Sequence, residues 1–80
     1  MSMLDELLEI SSQEDRVNKV IEYVQNGYSI TSDDLNLIDS EKDRTKILSL
    51  YMLNNGVLDN RILKGINEEK NLNTIKNLDI

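Results

Sequence analysis

The sequence predicts an all-α fold, a small stack of helical hairpins made of five or six short helices. Three observations carry this expectation. Proline is absent, and glycine occurs only at Gly27, Gly56 and Gly65, so little interrupts helix formation. Apolar residues recur at helical spacing, most clearly at Val17, Val20, Ile21 and Val24, which fall at i, i+3, i+4 and i+7. Alternating apolar and polar runs, the mark of half-buried strands, are missing.

The Val17–Val24 stripe predicts a helix over 13–26. Ser12 precedes it with Asp15 three positions on, a spacing like a capping box with Asp in place of Glu. Asn26-Gly27 supplies a left-handed stop, where glycine has no Cβ to clash. A second long helix is expected over 41–54, capped by Ser40 and ended by Asn55-Gly56, with a stripe of Ile47, Leu50 and Tyr51 beside Leu48 and Met52. Between them, Thr31 or Ser32 starts a short helix over 32–39 that buries Leu35 and Ile38. There Asp33 and Asp34 favour the helix dipole. Further short helices are expected over 3–10, through Leu4, Leu7 and Leu8, and over 59–66, through Ile62, Leu63 and Ile66. A last helix over 68–78 uses Leu72, Ile75 and Leu78, and the tail 68–80 is expected to fray for want of tertiary partners.

The order of short and long helices has a period. A shift of 28 residues places Asp5, Leu7, Ile10, Ser12, Asp15 and Arg16 on Asp33, Leu35, Ile38, Ser40, Asp43 and Arg44. A second shift places Leu35, Ile38, Glu41, Lys42, Ile47 and Leu50 on Leu63, Ile66, Glu69, Lys70, Ile75 and Leu78. Stacked helical hairpins bury their faces against neighbours and leave one extended surface open. The corners Tyr23-Val24-Gln25-Asn26-Gly27-Tyr28 and Tyr51-Met52-Leu53-Asn54-Asn55-Gly56-Val57 resemble the end of the second helix in ankyrin repeats. The likeness extends to degenerate viral ankyrin-like repeats and covers most of residues 4–66. The chain departs from that pattern in its shorter period, its missing Thr-Pro-Leu-His start and its lack of alanine. The resemblance implies a protein-binding module without catalytic residues.

The 80 residues suit one domain, 1–80, with a thin core. The formal net charge is −6, which opposes generic binding to nucleic-acid phosphates. Residues 1–43 hold eleven acids and three bases, whereas residues 44–80 hold four acids and six bases. A solvated face and an acidic docking surface explain the acidic half equally well. Histidine and cysteine are absent, which removes the commonest general base, thiol nucleophile and zinc ligands. The three glycines are too far apart for a phosphate loop. Acidic loops starting at Asp34 or Asp39 lack the glycine and terminal glutamate of a calcium-binding EF-hand. Arg61 and Lys64 are too few to make the 59–66 helix a DNA reader. No signal peptide, disulfide or membrane span is predicted, so a cytoplasmic setting is the expectation.

Three functions stay open on sequence alone. The first is a non-enzymatic protein-binding module or inhibitor that occludes a partner's working site. Its surface would comprise Tyr28, Asp33, Asp34, Asp39, Glu41 and Asp43, set against a basic groove. A viral or phage accessory protein would suit this size and acidity. The second is a nucleic-acid mimic whose carboxylates imitate a phosphate track and block a DNA- or RNA-binding enzyme. The third is a self-associating structural subunit, its acidic half pairing with the basic half of another copy. No cofactor, metal, membrane or direct nucleic-acid contact is expected. Tyr23 and Tyr51 are expected at the core edge, whereas Tyr28 is the aromatic best placed for contact.

Overall fold

Polar caps fix where the helices begin. The computed structural model describes residues 3–78 and has six helices and, among those residues, no strand. They are α1 (Met3–Glu9), α2 (Gln13–Gln25), α3 (Ser32–Asn36), α4 (Glu41–Leu53), α5 (Asn60–Leu63) and α6 (Glu69–Leu78). Ser12 Oγ accepts from the Asp15 N–H and Ser40 Oγ from the Asp43 N–H, each at 3.3 Å. Thr31 caps α3, and Asp59 caps α5 by accepting from the Ile62 N–H at 2.9 Å. Such caps are typically worth about 1 kcal/mol each, a large share for helices this short.

The short helices end earlier than the sequence predicts. The expected 32–39 helix stops at Asn36, because Leu37 and Ile38 donate to the Asp34 and Leu35 carbonyls in a tightened last turn. The expected 59–66 helix stops at Leu63 in the same manner, with Gly65 and Ile66 donating to Ile62 and Leu63. The long helices end at corners with one left-handed residue. In the first corner it is Gly27, at φ +86°, and in the second it is Asn55, at φ 67°. Gly56 is needed for a different reason. A Cβ there would lie 2.6 Å from the Tyr51 ring, which packs flat against the corner.

Packing places α4 between α2 and α6, while α1 lies against α2 and α3, and α3 touches α5. Burial follows. Val20, Val24, Ile47, Leu48 and Ile75 are buried, each such side chain contributing about 1.5–3 kcal/mol of transfer free energy. The expected α4 stripe shifts: Leu48 is fully buried and Leu50 only half-buried. A helix with neighbours on both sides buries two faces, not one. The radius of gyration is 11.8 Å, near the value of about 12 Å expected for this length. Ile75 is only 1% exposed, so α6 is docked by its middle turn.

The outer helices differ from α4 at matching positions. Val17 and Val20 on α2 and Thr45 and Leu48 on α4 are buried, but Asn73 and Lys76 on α6 are exposed. Conversely, Ile47 and Ile75 are buried, but Lys19 on α2 is half-exposed. Each outermost long helix therefore carries polar residues where the inner one carries buried ones.

Candidate functional site

Two polar joints hold the helices in register and so shape the exposed face. At the first, Gln13 at the start of α2 accepts from the Asp39 N–H at 3.0 Å and donates to the Leu37 carbonyl at 3.2 Å. Arg16, one turn on, donates to the Ile10 carbonyl at 2.7 Å and to Leu37 O at 3.4 Å. At the second, Glu41 at the start of α4 accepts from the Asn67 N–H, from the Glu68 N–H at 3.1 Å, and from Asn71 Nδ2 at 2.8 Å. Arg44 donates to the Gly65 carbonyl at 2.9 Å, to Asp39 O at 3.0 Å, and to Ile38 O. The donors and acceptors of the two joints match at a shift of 28 residues: Gln13 with Glu41, Arg16 with Arg44, Ile10 with Ile38, Leu37 with Gly65, and Asp39 with Asn67.

The Glu41 carboxyl is held below its ordinary range, mainly by the Asn67 N–H and then by the Asn71 amide. Burial opposes these two, and the Glu68 N–H and the Arg44 charge add smaller effects in the lowering direction.

At the opposite ends of α2 and α4 lie the corners, and here apolar side chains face solvent. Tyr28 is 56% exposed, Leu53 66% and Val57 80%. Tyr28 stands edge-on to Tyr23, with ring centroids 4.9 Å apart, and its N–H donates to the Tyr23 carbonyl at 3.0 Å. One cleft of about 220 Å³ runs between the two corners, with Tyr28, Tyr51, Gly56 and Val57 in its walls. A second, of about 540 Å³, lies on the other side of Tyr28 against Met3, Leu4, Tyr23, Asp33 and Asp34. Tyr28 is thus the ridge between two clefts. Asn54 Nδ2 donates to the Val24 carbonyl at 3.3 Å and ties one corner to the other.

The six residues singled out from the sequence do not form one surface. Tyr28, Asp33 and Asp34 share the larger cleft. Asp39 and Glu41 belong to the joints, with Asp43 beside them in the first turn of α4, separated from the corners by the 13-residue length of α2, about 20 Å. Asp33 is exposed, and its carboxylate bonds to no described residue. Asp34 is buried, and its carboxylate accepts from both the N–H and the hydroxyl of Thr31 at 3.0 Å, closing a capping box. Asp39 is exposed, although its backbone belongs to both joints. Asp43 is half-buried and its N–H meets the Ser40 cap. Tyr51 is buried in the core, as expected, whereas Tyr23 is half-buried with its ring at the larger cleft against Tyr28. Sequence reasoning passed over Gln13, Leu53 and Val57. The first was legible as the partner of Glu41 under the 28-residue shift; the other two gave no signal, because aliphatic residues beside a stripe read as core.

Among the described residues, no group of three acidic, histidine or cysteine side chains could hold a metal ion, and no helix is long and apolar enough to cross a membrane. No protein-family model, no curated protein and no solved structure matches the chain.

Proposed function

We propose that this chain is a protein-binding module built from three helical pairs spaced about 28 residues apart, and that it works without catalysis by covering a partner's surface with its corner face. The observation that carries this reading is that solvent-facing Tyr28 and Val57 wall one cleft between the two corners, with Leu53 exposed at the end of α4. Exposed aromatic and aliphatic residues around clefts are the usual anchors of protein contact. The matching joints support the repeat, since the same side-chain-to-backbone bonds recur one period apart. The ankyrin-like corners point the same way, toward a scaffold whose turns do the binding.

The polar outer helices favour this reading over a self-associating subunit. Asn73 and Lys76 on α6, and Lys19 on α2, occupy positions that are buried in the inner helix. Those two faces resemble caps rather than surfaces prepared for another copy. The placement of the singled-out acids weighs against nucleic-acid mimicry. Asp34 and Glu41 engage their carboxylates within the chain, and the others are divided, Asp33 at the corner cleft and Asp39 and Asp43 near the start of α4. Occlusion as an inhibitor and an origin as a viral or phage accessory protein belong to the same proposal and rest on size and acidity alone.

The test is capture from native extract by the chain and by Val57→Asp, Tyr28→Ala and Asp39→Asn variants. A specific partner retained by Asp39→Asn and lost by both corner variants supports the corner face. Equal capture by all four proteins overturns it. Capture that persists in 0.5 M salt favours apolar anchoring, whereas collapse with salt favours the mimic.

A further inference from the structure

The geometry points to an arginine side chain, carried by an extended segment of the partner protein, as the occupant of the cleft between Tyr28 and Asp33. This rests on the reading of the corner face as a protein-binding surface and names the partner's chemistry. Four observations converge. The cleft is about 540 Å³, within the range of about 300–1,000 Å³ typical of ligand sites. Its walls combine apolar Met3 and Leu4 with the rings of Tyr23 and Tyr28, and include no lysine or arginine. Asp33 is its exposed carboxylate, whereas Asp34 is already engaged by Thr31.

The fourth observation is an internal precedent. Lys19 lies 5.7 Å from the Tyr23 ring centroid, so this face already seats a cation of the chain against an aromatic ring. Two carboxylates hold that lysine, Glu6 at 3.9 Å and Glu22 at 3.7 Å, so it leaves an excess of negative charge beside the cleft. Tyr28 and Asp33 repeat the combination of ring and carboxylate, and among the described residues no lysine or arginine lines their cleft. Arginine suits it better than lysine. Its planar guanidinium stacks on rings, pairs with a carboxylate through two N–H groups, and sheds water more readily than an ammonium. Its methylene stem would lie along Met3 and Leu4. An extended segment then continues over the Tyr28 ridge toward Val57, where an aliphatic side chain fits the neutral cleft between the corners.

The experiment is a titration of the ¹⁵N-labelled full chain, followed by amide shifts. The probes are the peptide acetyl-Leu-Ala-Arg-Ala-Leu-amide and its versions with citrulline, lysine or glutamate replacing arginine. The expected result is saturable shifts at Tyr28, Ser29, Thr31 and Asp33 with the arginine peptide. Citrulline, which keeps the shape and loses the charge, should bind about two- to fivefold more weakly, as should the arginine peptide to Asp33→Asn. Asp39→Asn, at the distant joint, should bind like the native chain. Equal binding of the citrulline or glutamate peptide overturns the arginine assignment while leaving the corner face standing. Absence of saturable shifts at these amides with every peptide overturns the assignment outright. Amide dispersion like the native spectrum shows that each variant is folded.

Discussion

The Gln13 and Glu41 joints make the same frame with different chemistry. Both begin a long helix, reach across to the N–H that follows the next short helix, and stand one turn before an arginine that holds two loops. Gln13 is neutral and both accepts and donates. Glu41 is acceptor-only when ionised and collects three donors. Because the amide donates to Leu37 O, Arg16 shares that carbonyl with it. Glu41 has no N–H to offer Gly65 O, and Arg44 reaches that carbonyl and two further ones. The backbone geometry is therefore conserved between the joints while the source of the bonds is redistributed. One joint is independent of pH, and the other depends on a carboxylate staying charged.

The largest test concerns the apolar layer between the joints. Leu48→Ala empties a fully buried site on the one helix that has long neighbours on both sides. It should cost about 2–5 kcal/mol in urea unfolding. A chain of this length holds only about 4–12 kcal/mol in total, so the variant should lose a large share of its stability. Val20→Ala, at the matching position of α2, removes one carbon fewer and should cost less. A larger loss from Val20→Ala would place the stability centre at the first joint rather than the second.

Next come the arginines. Arg44→Ala removes three charge-assisted bonds to carbonyls and should lower stability by about 1.5–3 kcal/mol. Arg16→Ala removes two, one of them long and shared with Gln13, and should be the milder change. Equal losses in urea titration would break the contrast between the joints.

The corners offer a similar pair. Gly56→Ala drives a Cβ against the Tyr51 ring and should cost about 1–3 kcal/mol. Gly27→Asn should be tolerated with a loss below about 1 kcal/mol. Nothing lies within 4 Å of a Cβ at Gly27, and Asn55 already adopts that left-handed geometry in the other corner. Thermal unfolding separates the two, since about 1 kcal/mol moves the midpoint of a domain this small by about 4–8 °C.

Much of this frame was legible before the structure, and the limits have physical causes. The Val17–Val24 stripe, the Ser12 and Ser40 caps and the Asn/Gly corners placed both long helices to within a residue or so, because each signal is local. The joints are not local. Gln13 meets Asp39 and Arg16 meets Leu37 more than 20 residues away, and the 28-residue shift, which aligns Gln13 with Glu41, does not say what either side chain meets. Asp34 read as a surface acid because its spacing from Thr31 suits a capping box only if Thr31, rather than Ser32, is the cap. Leu50 read as core because the stripe assumed one buried face on a helix that has two. Val57 and Leu53 were invisible as surface residues, since exposure of an aliphatic side chain at a corner depends on what the fold leaves uncovered.

The smallest effect, and the most specific to the comparison, is acid sensitivity. Glu41 titrates below its ordinary value of 4.5 in the folded chain, so the folded state binds its proton more weakly than the unfolded state does. Its contribution is therefore complete above the ordinary value and is lost as pH falls through the lower folded one. Glu41→Gln should remove that increment: the variant should be less stable than the native chain at pH 7, and the difference should shrink as pH falls below 4.5. Gln13→Glu should do the reverse at the first joint. A carboxylate there keeps the bond from Asp39 N–H, loses the donation to Leu37 O, and makes a second contact conditional on ionisation. Its stability relative to the native chain should then fall further as the medium is acidified. Urea midpoints at pH 7, 5, 4 and 3 for the three proteins decide it. Parallel acid branches for native and Glu41→Gln chains would mean that the Glu41 carboxylate is a passive acceptor, and that the two joints differ in residue type but not in behaviour.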